Sequence, residues 1–146
     1  MLKGILAISG QPGLFKLLAE SKNNIIVESL ETGKRMPAYS TTKISALEDI
    51  AIYTDTEDVP LKEVLKAIYE KEDGGKSISH KSSGNELKNY FEEVLPNYDR
   101  ERVYVSDIKK VILWYNILQE KEMLDFSEDV ESDEKKKELN PNKKSE

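Results

Sequence analysis

The single histidine, His80, lies within a few residues of Ser77, Ser79, Ser82 and Ser83. A histidine beside serines is the raw material of nucleophilic catalysis, in which imidazole takes the hydroxyl proton while a third group orients the ring. Here all five fall in one polar stretch between Gly75 and Gly84, with nothing to hold them in a fixed geometry. The expectation is therefore a solvated loop histidine. Gly74-Gly75-Lys76-Ser77 invites a phosphate-loop reading. Such a loop needs a glycine five positions before Gly75, so that backbone N–H groups can wrap the phosphates. That position is Glu70, which would repel them, and the segment is expected to follow a helix rather than a strand.

Carboxylates are plentiful, including the adjacent pairs Glu48-Asp49, Glu57-Asp58 and Glu92-Glu93. Acid–base chemistry asks for a carboxyl whose pKa burial has raised, and these pairs stand in polar surroundings. No segment carries the alternating acids and central glycine of a calcium loop. With no cysteine in the chain, thiolate zinc sites, thiol nucleophiles and disulfides drop out together. A lone histidine excludes any site needing two imidazoles from one chain. No catalytic residue, metal site or cofactor is assigned.

Binding chemistry is better represented. Lys16, Lys34 and Arg35 are interleaved with Phe15 and Tyr39, with Lys3, Lys43 and Tyr53 nearby in sequence. Small β-barrels can hold single-stranded nucleic acid by stacking bases on aromatic rings beside a basic groove. Gly33-Lys34-Arg35 is the best basic spot, since a turn presents both side chains. Against this, the net charge of −6 argues against broad polyanion coverage.

The chain has 146 residues, 38 % apolar and 34 % charged, which suits a water-borne chain with a modest core. No stretch approaches the ~20 apolar residues that span a bilayer. The run Ile5–Ile8 is too short for a signal-peptide core, and with no cysteine a cytoplasmic location is expected. Charge divides the chain into residues 1–54 at +1, 55–126 at −5 and 127–146 at −2.

Residues 1–54 read as short strands. Lys3–Ser9 ends at the turn Gly10-Gln11-Pro12-Gly13, and Leu14–Glu20 ends at Lys22-Asn23-Asn24. The β-branched run Ile25-Ile26-Val27 turns at Glu31-Thr32-Gly33-Lys34 into Arg35–Tyr39, where Pro37 marks an edge or a bulge. A helical turn at Ser45–Asp49 precedes a last strand at Ile50–Tyr53. This pattern predicts a small SH3-like β-barrel, marginal in size when alone and expected to lean on the helices after it.

Residues 55–126 read as three helices. Leu61, Val64, Leu65 and Ile68 give the first an apolar face after Pro60. Ser83-Gly84-Asn85-Glu86 is a capping box for the second, whose face is Leu87, Tyr90, Phe91, Val94 and Leu95. The third is capped at Ser106-Asp107 and is apolar on two sides. Ile108, Val111, Ile112, Tyr115 and Leu118 make one face, and Leu113, Ile117 and Leu124 a second, with Trp114 beside it. Such a helix is buried on both sides, by its own chain or by a second one. Leu113, Trp114 and Ile117 are accordingly the candidate surface for a protein partner or a homodimer. Residues 127–146 hold almost no apolar side chains and are expected to be a disordered charged tail.

Three runs carry a resemblance: Ile8–Lys16 (ISGQPGLFK), Ile26–Pro37 (IVESLETGKRMP) and Lys43–Ile50 (KISALEDI). Over about residues 1–125 the chain resembles a family of uncharacterised Bacteroidetes proteins with an SH3-like N-terminal domain and a helical C-terminal domain. The resemblance implies an α+β architecture and a bacterial source, and no chemistry. The expected function is non-enzymatic binding or scaffolding through protein contacts. The alternative is RNA binding by Phe15, Lys16, Lys34, Arg35 and Tyr39.

Overall fold

The computed structural model describes residues 2–39 and 41–126. The expected tail over 127–146 lies outside the described residues. The chain is α+β. Five strands form one antiparallel sheet: β1 (Ile5–Ile8), β2 (Phe15–Glu20), β3 (Asn24–Ser29), β4 (Arg35–Tyr39) and β5 (Ile44–Ala46). Their order is β4-β3-β2-β1-β5, so β4 and β5 are the two edges. Pro37 therefore sits on an edge strand, where its missing donor costs no ladder bond.

The expected barrel does not close. The segment read as its last strand leaves the sheet: β6 (Ala51–Ile52) pairs with β7 (Val59–Pro60) in a separate two-stranded ribbon. The single helical turn comes after a fifth strand, as a 3-10 turn at Leu47–Asp49. Pairing across the short Tyr53–Asp58 loop costs less closure entropy than pairing back to a distant strand. The edge of β1 is taken instead by Ile44–Ala46, in the register Leu6 to Ala46 and Ile8 to Ile44.

Three helices complete the fold: α1 (Leu61–Lys71), α2 (Gly84–Val94) and α3 (Val105–Glu120). After α1 the chain turns at Gly74 (φ +83°), whose N–H donates to Tyr69 O at 2.9 Å, a left-handed stop that glycine accepts without strain. The α2 capping box forms as expected, Ser83 Oγ accepting from Glu86 N–H and Glu86 Oε1 from Ser83 N–H. The α3 cap differs. Asp107 reaches back to accept from the Tyr104 N–H at 2.9 Å, so the helix starts before Ser106, which lies inside it.

One core joins sheet and helices. Ile5, Leu14 and Leu47 pack with Leu61, Leu65, Phe91, Ile112 and Leu118 in the same cluster. The other face of the sheet holds a smaller cluster of Leu6, Ile8, Phe15, Val27 and Ala38. Those five residues all come from strands, so the sheet curls over its own face. Because β1 is apolar on successive residues, it serves both clusters at once.

The stretch after α1, expected to be a flexible loop, is fastened to α3. Asn116 Oδ1 accepts from the Ser77 N–H (2.9 Å) and hydroxyl (3.0 Å), and its Nδ2 donates to Ile78 O (3.0 Å). The Tyr115 hydroxyl donates to Gly75 O at 2.7 Å, and burial pushes that phenol up to about 12, so it stays a neutral donor. Asn116→Ala should cost about 1–2 kcal/mol, because it orphans the half-buried Ser77 and Ile78 groups. It should also speed amide exchange at Ser77; unchanged exchange there would show that other contacts hold the loop. Among the described residues no helix is long and apolar enough to cross a membrane.

Candidate functional site

Where the sheet meets α3, a cleft of about 420 Å³ opens. Its floor is the end of β1 with the turn Gly10–Gly13. One wall is Lys43 and Ser45 at the start of β5, and the other is Lys110, Leu113 and Trp114 of α3. The turn lies close against the helix. A Cβ on Gly13 (φ +85°) would collide with the Glu31 carboxylate and come within 3.8 Å of Ile117 Cδ1. Lys43 is fixed through its backbone, its carbonyl accepting from the Ser9 N–H at 2.9 Å. Both lysines are exposed, and neither makes an ion pair among the described residues. No carboxylate lines the cleft. In a chain with 28 acids against 22 bases, two unpaired ammonium groups in one concavity are a local exception. An anion entering the cleft meets two cations and no acid on its lining.

A second, smaller cleft of about 150 Å³ adjoins it and shares Ile50 and Trp114. Its walls are Ile52, Val103 and Val111, with Arg102 and Asp107 at the rim. Arg102 is held by Asp99 (2.7 Å) and lies over the Tyr53 ring, 4.2 Å from its centre.

Trp114 and Ile117, two of the three residues expected to meet a partner, are buried within the chain at 8 % and 5 % exposure, and the third, Leu113, is half-buried. Most of the face they form is buried within the chain itself, with the turn at Gly13 beside Ile117, which corrects the expectation of a partner surface across all three. Trp114 and Leu113 show only their margins, and those margins line the cleft.

The basic and aromatic set is split. Phe15 is buried in the sheet's second cluster and cannot stack on a base. Lys16, Lys34, Arg35 and Tyr39 are exposed, but Glu28 stands between Lys16 and Arg35 in register across β2, β3 and β4. Glu28 Oε1 pairs with Arg35 Nε at 3.2 Å. The row is a mixed-charge surface rather than a basic groove. His80 makes no hydrogen bond to the neighbouring serines among the described residues, and no group of three metal-ligating side chains occurs among them.

Lys43 and Lys110 were not legible as a site, because they are far apart in sequence and only the docking of sheet on helix brings them together.

Two families match the chain in tandem. A domain of unknown function (DUF5606) matches residues 2–47, and a second (DUF6852) matches residues 50–118. The chain is also similar to a protein from Bacteroides vulgatus whose solution NMR structure was determined in a structural genomics programme. Identity is 53 %, covering 86 % of this chain and 91 % of that one, with a TM-score of 0.73. The chain belongs to this uncharacterised Bacteroidetes family. No curated protein matches it. The boundary between the two matched regions falls at the 3-10 turn, and the larger cleft takes residues from both sides of it.

Proposed function

We propose that the protein is a non-enzymatic binding protein of the bacterial cytoplasm, and that a protein partner docks at the cleft between the sheet and α3. The observation that carries this reading is the pairing of two unneutralised lysines with an apolar wall, free of carboxylates, in an acidic chain. Exposed cations beside apolar surface suit a partner whose charge is opposite and whose contact is partly dry. The cytoplasmic location rests on the absence of cysteine.

The test is a pull-down, run with and without nuclease, of the full-length tagged protein beside a Lys43→Glu, Lys110→Glu double variant. A partner recovered by the wild type and lost by the variant supports docking at the cleft. Equal recovery by both overturns it. Recovery that disappears with nuclease would favour RNA on the Lys16, Lys34, Arg35 and Tyr39 surface instead.

A further inference from the structure

We infer that the two adjoining clefts together form a groove for an extended acidic peptide segment of the partner, with a carboxylate two residues away from a bulky apolar side chain. The inference rests on the proposed docking at this cleft and specifies the partner's chemistry.

Two observations give the groove its selectivity. The larger lobe carries Lys43 and Lys110 with no acid, and its polar side chains, Ser9, Gln11 and Ser45, add neutral donors. The smaller lobe is walled by Ile52, Val103 and Val111. Its rim carboxylate, Asp107, is turned to the Tyr104 N–H, and its rim cation, Arg102, is already paired with Asp99. One lobe therefore favours negative charge and the other an apolar group.

The lobes meet at Trp114 and Ile50. Along α3, Lys110 and Leu113 face the first lobe, Val111 and Asp107 the second, and Trp114 separates them. Lys110 and Val111, one on each lobe, are adjacent on α3; about 100° apart around a helix about 10 Å across, their side chains leave its surface about 8 Å apart. In an extended peptide, side chains on the same face recur every second residue, about 7 Å apart. An acidic residue and an apolar residue at that spacing can occupy both lobes at once. A polynucleotide offers phosphates but no aliphatic group for the smaller lobe.

Trp114 is the only tryptophan, so its indole N–H is a single assigned reporter at the junction. The experiment titrates the ¹⁵N-labelled full-length protein with the peptide acetyl-Ser-Glu-Gly-Glu-Ser-Leu-Ser-amide and follows that resonance. Saturable shifts at Trp114, Lys43 and Lys110 are expected. Affinity should fall at least tenfold when leucine is replaced by glycine, when both glutamates become glutamine, or in the Lys43→Glu, Lys110→Glu variant. Both lysines are exposed, so the variant should keep the wild-type spectrum elsewhere. Higher salt should weaken binding. No saturable shift at millimolar peptide overturns the inference, as does equal affinity for the glutamine peptide. Tighter binding of poly(U) than of the peptide also overturns it. If the peptide fails while partner recovery still depends on the two lysines, docking at the cleft stands and only the peptide chemistry falls. If neither depends on them, both fall.

Discussion

Trp114→Ala is expected to lower the unfolding free energy by about 3–5 kcal/mol in urea denaturation, the range for deleting a buried tryptophan side chain. The ring is 8 % exposed and belongs to the core cluster shared by sheet and helices. It also stands between two clefts, so truncation would merge them into one larger cavity that neighbouring side chains cannot refill. The cost separates two roles for the same residue. A tryptophan held out for a partner would be replaced at a cost within about 0.5 kcal/mol in the isolated protein. A tryptophan that joins sheet to helix takes a large share of the total stability with it, since a domain has about 5–15 kcal/mol in all. A measured loss below about 1 kcal/mol would place the ring outside the core and reopen α3 as a free surface.

This residue also shows where sequence reading stops. The periodicity of α3 reports that two faces are apolar, and most of both is buried. Periodicity carries no information about whose atoms cover the second face, and here they come from the same chain. The first two helices were legible because their burial pattern is one-sided. Leu61, Val64, Leu65 and Ile68 repeat at helical spacing, as do Leu87, Tyr90, Phe91 and Val94, and all are buried. The β2–β3–β4 meander was legible from its turns and from Pro37. The stretch after it was not. Ile44-Ser45-Ala46 is too short to show alternation, and Ala51-Ile52 can pair with any strand offered. Which strand it meets is decided by loop length and by α1 following directly: Leu61 N–H donates to Ile50 O at 2.8 Å. The basic and aromatic set failed for a related reason. Adjacent residues in a strand point to opposite faces, so Phe15 and Lys16 could not share one surface. The cleft depends on docking between elements, and spacing within a single element could not reveal it.

Phe91→Ala should cost at least as much as the tryptophan change, about 3–5 kcal/mol for the buried ring and about 0.5–1.5 kcal/mol more for an aromatic pair. Phe91 is fully buried and meets Tyr98 edge-on, with ring centres 5.0 Å apart and planes at 75°. Tyr98 lies in the connection from α2 to α3, which is stitched to the segment after β6. Thr54 and Tyr98 form an isolated bridge, the Asp55 N–H donates to Asn97 O and the Asp99 N–H donates to Tyr53 O, both at 2.9 Å. The pair of rings thus ties α2 to the far end of the β6–β7 ribbon, which is too short to hold itself. Removing Phe91 should therefore loosen the ribbon as well as the helix. Amide exchange at Asp55 and Asp99 should rise together with the drop in urea midpoint. Tyr104→Ala, at a ring 65 % exposed, is the control and should stay within about 0.5 kcal/mol. If the Phe91 variant lost stability while Asp55 and Asp99 kept wild-type protection relative to the global value, the ribbon would be held by the sheet side of the molecule. The α2–ribbon link would then be a packing contact alone.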